Sequence, residues 1–475
     1  MTRKALRIAF IHPDLGIGGA ERLVVDAALG LQASGHSVNI YTSHHDPSHC
    51  FEETRDGTLS VSYVKPPFPR SIKGKFHILF AHARQLHLTA TLLWPFGPSY
   101  DVFFVDQLST CIPFIRNLLG TRVVFYCHFP DKLLAHGEFV EGNLVRRRTS
   151  LLKRIYRFPM DWLEEITTGQ ADIILANSNF TARVFRSYMS SIATLPRVVY
   201  PGINFTAYES AVDLGDPDIT SITSDQPTLL SLNRFEKKKN AALAIESFGA
   251  LKSRRDSSKL RLVLAGGYDP RLEDNMMTLA GLIDVAKASS LTFNIVTPSS
   301  SKITVPPFNC TRTNPDILFL LNFTTAQRTA LLTAKSTLCL LYTPANEHFG
   351  IGPVEAMFCG IPVLACNSGG PTESIVDSPL DERTGWLRQP DKEVWAAALE
   401  EIMALSLDER EALAERARSR ARQTFGMQAM ARGIEDALFE AVALGPVGIS
   451  TLWWLVIGFV FAFVVAQLFP IERSL

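Results

Sequence analysis

At 475 residues the chain exceeds one ordinary domain, and two or three are expected. Hydrophobic residues at 47% and charged residues at 20% supply more than one core, while equal totals of 47 basic and 47 acidic residues exclude the net basic face of a nucleic-acid binder. The 7 cysteines are scattered and form no CxxC pair, which excludes a zinc ribbon and argues against a disulfide framework; set in apolar runs, they read as buried thiols in a reducing compartment.

In chain order, Leu6–Ile11 reads as a first buried strand rather than a signal peptide, because its apolar run is short, is broken by Arg7 and leads into His12-Pro-Asp14. A helix over Gly19–Ser34 and a strand over Ser37–Thr42 follow. Further strands are expected at Asp101–Val105, Thr121–Tyr126, Asp172–Ala176 and Arg197–Tyr200. The alternation of strand and helix patterns is that of βαβ units and a parallel sheet. Two other stretches stand out. Phe76 to Phe96 is long, apolar and histidine-rich, flanked by Lys73 and Lys75. Arg146 to Arg157 gathers Arg146, Arg147, Arg148, Lys153, Arg154 and Arg157 around Leu151, Leu152, Ile155 and Tyr156. Such a basic amphipathic segment suits an anionic membrane surface or a pyrophosphate-bearing lipid, and equally a solvated helix with a core stripe.

Residues 207–227, rich in Asp, Ser, Thr, Pro and Gly and without periodicity, read as a linker between a first domain at 1–206 and a second at 228–425. The pattern then restarts. Strands are expected at Thr228–Leu232, Leu260–Ala265, Ile317–Leu321, Thr337–Tyr342 and Ile361–Ala365, with a helix over Asn240–Leu251 and an inserted loop over Thr297–Pro315. Charged helices at Asp391–Leu405 and Leu407–Phe425 close the domain, and residues 426–446 connect it to the tail. Val447 to Phe469 holds no charged residue, long enough for a helix to cross a bilayer core of about 30 Å. A buried or in-plane helix is the other reading of that segment.

Three loops carry chemistry. Gly16-Ile-Gly-Gly-Ala-Glu-Arg22 joins a strand to a helix, but Glu21 stands where GxGxxG requires glycine, and no acidic residue ends the second strand. A nicotinamide site is therefore poorly supported. What remains is a small-residue loop at a helix start, open to a phosphate or a sugar hydroxyl, or simply a tight turn. Asn233-Arg-Phe-Glu-Lys-Lys-Lys-Asn240 places Arg234 and Lys239 within reach of one point before a helix, as a diphosphate would require. In Asn346-Glu-His-Phe-Gly-Ile-Gly-Pro-Val-Glu-Ala356, the glycines and Pro353 delay the helix to about Pro353. Glu347 is then expected in the loop and Glu355 in the first turn, with free N–H groups around Phe349 to Gly352 for an anion or sugar hydroxyls. Asp216-Pro-Asp218 reads as a linker loop rather than a metal site.

These residues resemble the retaining GT-B glycosyltransferases of family 4, over nearly all of the chain to about Phe425. The resemblance implies an α/β fold of two Rossmann-like parallel-sheet domains facing a cleft, with the acceptor on the first and the nucleotide sugar on the second, plus the C-terminal hydrophobic membrane helix. It implies that Arg234 and Lys239 hold the donor diphosphate, Glu347 the transferred sugar and Glu355 the nucleotide ribose. Phe349 and Gly350 would add backbone contacts, and Gly18 with Gly19 would approach the phosphates. The family retains anomeric configuration and needs no metal or other cofactor. Tyr200-Pro-Gly-Ile-Asn204 matches its first-domain ending. Within the family, His12-Pro-Asp-Leu-Gly-Ile-Gly-Gly-Ala-Glu-Arg-Leu-Val24 and Tyr126-Cys-His-Phe-Pro-Asp131 look like the dolichol-pathway mannosyltransferases. That likeness implies GDP-mannose as donor and a dolichol-diphosphate-linked oligosaccharide as acceptor. It also implies cytosolic catalytic domains at the endoplasmic reticulum membrane, with room for other early dolichol-pathway glycosyltransferases as partners. His128 would contact the donor sugar and help orient the reacting groups; a satisfied core histidine is the other reading. Another sugar nucleotide, a phosphoinositide acceptor, or a non-catalytic membrane-bound adaptor are the alternatives.

Overall fold

The computed structural model describes residues 4–72, 75–93, 97–140, 143–146, 151–209, 211–254, 259–305 and 314–448. From residue 449 the apolar tail lies outside the described residues, as do parts of the 76–96 and 146–157 stretches. Among the described residues no helix is long and apolar enough to cross a membrane. The chain divides into two compact units. The first is built from the chain up to Glu138, from Arg146 to Gly202 and from Met430 to the end of the described residues; the second is Ile203–Ala429 with the short segment Phe139–Val145.

In the first unit, β1 (Arg7–His12), α1 (Gly19–Ala33), β2 (Ser37–Thr42), β3 (Ser60–Tyr63), α2 (His77–Leu92), β4 (Val102–Asp106), α3 (Ile112–Leu118) and β5 (Arg122–Cys127) follow in order. After α4 (Asp131–His136), the strands β6 (Gly137–Val140) and β7 (Asn143–Arg146) form a separate two-stranded sheet. Then come α5 (Leu151–Thr168), β8 (Ile173–Ala176), α6 (Asn179–Tyr188) and β9 (Arg197–Val198). The main sheet runs β3-β2-β1-β4-β5-β8-β9, parallel throughout, with Ile8 opposite Val38 on one side and Val102 on the other. Alternate side chains fill two cores. Ile8, Phe10, Val38 and Ile40 face one, and Ala9, Ile11, Phe103 and Val105 face the other. Burial on both faces is why these strands read as nearly unbroken apolar runs.

The second unit holds α7 (Thr206–Glu209), α8 (Pro217–Thr220), β10 (Thr228–Leu232), α9 (Ala242–Arg254), β11 (Arg261–Gly266), α10 (Glu273–Ala288), β12 (Phe293–Val296) and β13 (Ile317–Leu321). It continues with α11 (Thr325–Thr333), β14 (Thr337–Tyr342), α12 (Ile351–Cys359), β15 (Val363–Cys366), α13 (Pro371–Ser374), β16 (Trp386–Arg388), α14 (Lys392–Ala404) and α15 (Leu407–Phe425). Its parallel sheet runs β12-β13-β11-β10-β14-β15-β16 over a core that includes Leu262, Phe319, Trp386 and Trp395. Residues 207–227, whose composition lacks periodicity, nevertheless pack into this unit: Ile219 and Ile222 are buried. Asp216 caps α8 through the Asp218 N–H at 2.8 Å, and Asp218 accepts the Ser299 N–H at 2.9 Å.

A last helix, α16 (Met427–Ala443), returns to the first unit. Met430, Ile434, Ala437, Leu438 and Ala441 join the core of Ile8, Phe10 and Val24. The close seat depends on Gly433, where a Cβ would lie 3.1 Å from Val199. His36 Nε2 meets Glu435 at 3.0 Å, and Arg122 reaches the Gly445 carbonyl at 2.6 Å. Ile434→Ala should therefore destabilise the first unit by about 2–5 kcal/mol, through the lost contacts and the cavity left behind. Calorimetry of the full chain should show its melting transition move down. An unmoved transition would mean that α16 is not part of that core.

Candidate active site

In a parallel sheet the chain must reverse its winding once, and the two strands flanking that point send their following loops apart. A crevice opens there at the carboxyl ends of the strands. In the first unit it lies between β1 and β4, and in the second between β10 and β14. The chemistry-bearing loops leave these four strands or their neighbours, so the topology itself selects them.

In the second unit, the loop after β10 rests directly on Gly266, where a Cβ would come within 1.8 Å of the Asn233 carbonyl. The loop then turns through Lys237–Lys239, and Thr343 beyond β14 donates to the Lys239 carbonyl at 2.7 Å. That tie brings the Lys239 ammonium onto the Glu347 carboxylate. Burial pushes the Glu347 carboxyl up, but Lys239, helped by His348 and Lys238, outweighs it and holds the group below its ordinary value. Arg234 is 64% exposed and reaches Glu236 at 3.5 Å. The two cations singled out together thus have different partners.

Glu347 owes its place to glycines. Gly350 has φ +89°, and a Cβ there would stand 3.1 Å from the buried Tyr342 ring. Asn346 N–H donates to Ser368 at 3.0 Å, and Gly370 N–H to the Glu347 carbonyl at 2.7 Å. Side chains at Gly369 or Gly370 would overlap the 346–349 backbone at 2.4 and 2.2 Å. The run Gly369-Gly-Pro371 was the available signal for this support. Phe349 is buried, its ring 5.6 Å from that of Phe425.

The start of α12 corrects one expectation. The helix begins at Ile351 with Gly350 at its N-cap, so Glu355 lies in the second turn, not the first. Pro353 does not delay the start, because the first helical N–H groups have no partner within the helix and a proline there loses nothing. Glu355 is buried; Tyr208 donates to its Oε1 at 2.5 Å and Arg328 at 3.0 Å. Neither partner was legible, since they lie 147 and 27 residues away.

In the first unit, Gly18 caps α1 in extended conformation, half-buried beneath the Glu21 carboxylate, and Gly19 is exposed with nothing within 4 Å of a Cβ position. His128 follows β5 and is half-buried. Its Nε2 lies 2.6 Å from Asp106 at the end of β4, and His12 Nδ1 at the end of β1 lies 2.9 Å from the same carboxylate. Burial pushes the Asp106 carboxyl up, but His128 and His12 outweigh it and hold it at about 2. For His12 burial acts downward and Asp106 prevails, raising it. Asp106 escaped sequence reasoning because it directly follows the expected strand Asp101–Val105 and belongs to no recognisable motif.

Residues 17–206 match the model of Glycosyltransferase Family 4, and residues 312–420 that of Glycosyl transferases group 1. Among solved structures, sucrose-phosphate synthase from Thermosynechococcus elongatus superposes with a TM-score of 0.66 at 18% identity, covering 92% of this chain and 100% of that one. Anabaena HepE with UDP gives 0.63 at 16%, over 91% and 100%. At such identity the likeness is one of fold, and the fold is that of two Rossmann-like parallel-sheet domains. The class is thus a glycosyltransferase. The α-1,3/1,6-mannosyltransferase ALG2 of Rhizomucor pusillus is 44% identical over 94% of this chain and 94% of its own length. ALG2 of Saccharomyces cerevisiae is 40% identical, over 92% and 85%. The chain belongs to the family of these mannosyltransferases.

Lys239→Met would leave only His348 and Lys238 to oppose burial at Glu347. The depressed carboxyl of the native protein contributes stability above its ordinary value of 4.5, lost as the pH falls through the folded value. In the variant Glu347 should titrate higher and that contribution should shrink, as a carboxylate ¹³C NMR titration would show. Equal titration in both proteins would mean that Lys239 does not hold Glu347 ionised.

Proposed function

We propose that the protein transfers mannose from GDP-mannose to mannosyl-chitobiosyl-diphosphodolichol, making an α-1,3 and an α-1,6 linkage with retention of configuration. The observation that carries this is the Lys239–Glu347 pair at the switch point of the second unit, in a chain 40–44% identical to relatives named for these two linkages. Lys239 and the free N–H groups at the start of α12 are arranged to meet a diphosphate, whose charge grows as the glycosidic bond breaks. Arg234, on a long exposed side chain in the neighbouring loop, is the second cation for that group. Glu347 grips hydroxyls of the transferred mannose, with Phe349 and Gly350 contributing backbone contacts. Glu355 serves the ribose, steadied by Tyr208 and Arg328. The family resemblance implies that His128 and the Gly18-Gly19 loop contact the donor and that the first unit receives the acceptor. The acceptor hydroxyl attacks on the face the diphosphate leaves, and its proton passes to the departing phosphate oxygen. The family resemblance implies that no metal takes part.

Membrane association, with the catalytic domains on the cytosolic side of the endoplasmic reticulum, completes the reading. Beside the apolar tail, α5 supports it. Leu151, Leu152, Ile155, Phe158, Trp162 and Ile166 lie exposed at three- and four-residue spacing on one helical face, Leu152 to 80% and Phe158 to 73%. Lys153 and Arg154 are exposed beside them. Phe76 and Leu79 of the α2 region, also exposed, join at Tyr156, whose ring lies 5.5 Å from that of Phe76. An apolar stripe edged by cations suits an anionic bilayer surface.

The test is transfer of radiolabelled mannose from GDP-mannose to a synthetic mannosyl-chitobiosyl-diphosphate lipid. A product with two added mannoses should form with or without EDTA, and Glu347→Ala or Lys239→Ala should lose on the order of 100-fold or more in turnover while staying folded. Near-normal turnover by either variant, or transfer only from another sugar nucleotide, would overturn the proposal.

A further inference from the structure

The loops that leave β1 and β2 stay paired beyond the strands. Leu15 N–H donates to the His44 carbonyl at 2.8 Å, and Ser43 N–H to the Pro13 carbonyl at 3.1 Å. This ledge at the carboxyl ends of the first sheet carries Asp14, whose two oxygens each face a different arginine. Oδ1 accepts from Arg84 Nη2 at 3.0 Å, and Oδ2 accepts from Arg70. Arg84 is buried and fixed: the same Nη2 donates to the Ser43 carbonyl at 2.8 Å, and Ser43 Oγ donates to the Arg84 carbonyl at 3.3 Å. Its guanidinium is nevertheless underused. Nε is buried without a hydrogen-bond partner, and among the described residues Nη1 donates to none. A guanidinium has five N–H donors, and unspent ones in a buried group cost free energy unless an acceptor reaches them. Arg70 is 57% exposed and, among the described residues, is held by Asp14 alone.

Two guanidinium groups set around one oxyanion make an anion site, which the Asp14 carboxylate fills in the free protein. The carboxylate does not cancel their field. His44 is held below its ordinary value by burial and then by the Arg70 charge, which exceeds the opposite pull of Asp14. The chain around Arg70 is apolar and exposed at Phe68, Ile72, Phe76 and Leu79, and the Phe68 ring lies 6.4 Å from that of His87 on α2. Through Phe76 and Tyr156 this surface continues into the exposed stripe of α5. A ligand that matches both features has a phosphate head of about two negative charges joined to a hydrocarbon chain.

We infer that Arg70 and Arg84 form the site for the diphosphate of the lipid-linked acceptor: Arg70 exchanges Asp14 for a phosphate oxygen, Arg84 offers its unspent N–H groups, and the lipid leaves over Phe68, Ile72 and Phe76. The inference rests on the reading of the acceptor as a diphosphate-linked lipid received by the first unit, and it adds the residues that recognise the diphosphate. Transfer leaves that diphosphate unchanged, so the site acts in binding the acceptor and not in bond breaking.

The experiment uses the full-length protein in neutral detergent free of anionic lipid, with radiolabelled GDP-mannose. Two acceptors are compared: phytanyl diphosphate bearing the mannosyl-chitobiosyl trisaccharide, and the octyl glycoside of the same trisaccharide. Arg70→Gln, at an exposed side chain, spares the core. It should lower kcat/KM for the diphosphate acceptor on the order of 10-fold, mostly through KM, and so erase most of the preference for it over the glycoside. Arg70→Lys keeps the charge without the fork and should recover part of the loss. Sugar-free phytanyl diphosphate should compete with the acceptor in the native protein and on the order of 10-fold more weakly in R70Q, a comparison that holds even if the glycoside is not a substrate. Inorganic diphosphate should compete less well than phytanyl diphosphate; equal competition would overturn the lipid path. Unchanged KM for the diphosphate acceptor in R70Q, with unchanged competition, would overturn the inference. So would a loss seen only on vesicles containing phosphatidylserine, which would assign the arginines to the bilayer, or a rise in KM for GDP-mannose alone, which would assign them to the donor. If the native protein transfers mannose to neither acceptor, the reading of the acceptor fails; if R70Q uses the diphosphate acceptor as well as the native protein does, the inference alone fails.

Discussion

A parallel sheet covered by helices on both faces buries its central strands, and side chains reach the surface where those strands end. In each unit of this protein the switch in winding pries two such ends apart, β1 from β4 and β10 from β14. The cores built on Ile8 and Phe103 in one unit and on Leu262 and Trp395 in the other exist to hold these openings rigid. Loops leaving a strand there begin at a fixed point and direction, so a few residues suffice to place a charged group.

Both openings use the same electrostatic device with opposite purposes. A carboxylate sits close to nitrogen bases: Glu347 on Lys239, and Asp106 on His12 and His128. Glu347 and Lys239 are both half-buried, so each can exchange its partner for a ligand group while the cost of desolvation stays modest. Asp106 is wholly buried, where removing a partner would strand a charge in low dielectric. The half-buried pair suits a group that must trade contacts during a reaction. The buried one suits a group that must not move.

Much of this was legible in the sequence, and the reason is period. Strands such as Thr228–Leu232, Ile317–Leu321 and Thr337–Tyr342 are short apolar runs bounded by turn residues, and their ends matched the structure because those turn residues mark where the chain leaves the sheet. The loops holding Lys239 and Glu347 were found from local chemistry at those ends, and His128 from the family resemblance. What escaped was long-range. Asp106 meets His12 across 94 residues, and Tyr208 meets Glu355 across 147. No local pattern encodes either meeting, since only the strand order brings the partners together. The start of α12 was misjudged for a different reason: glycine and proline were read as delaying a helix, whereas a left-handed Gly350 set against Tyr342 starts it at once. Residues 207–227 lack periodicity because short helices capped by Asp216 and anchored by Ile219 need none.

The central claim is that the opening between β10 and β14 holds the nucleotide sugar by its diphosphate. A structure of the protein with GDP-mannose bound tests it most directly. The account places the diphosphate oxygens about 3 Å from the Lys239 ammonium and from the N–H groups at the start of α12, with mannose hydroxyls on Glu347. A nucleotide bound elsewhere, with Lys239 and Glu347 still paired only to each other, would contradict it.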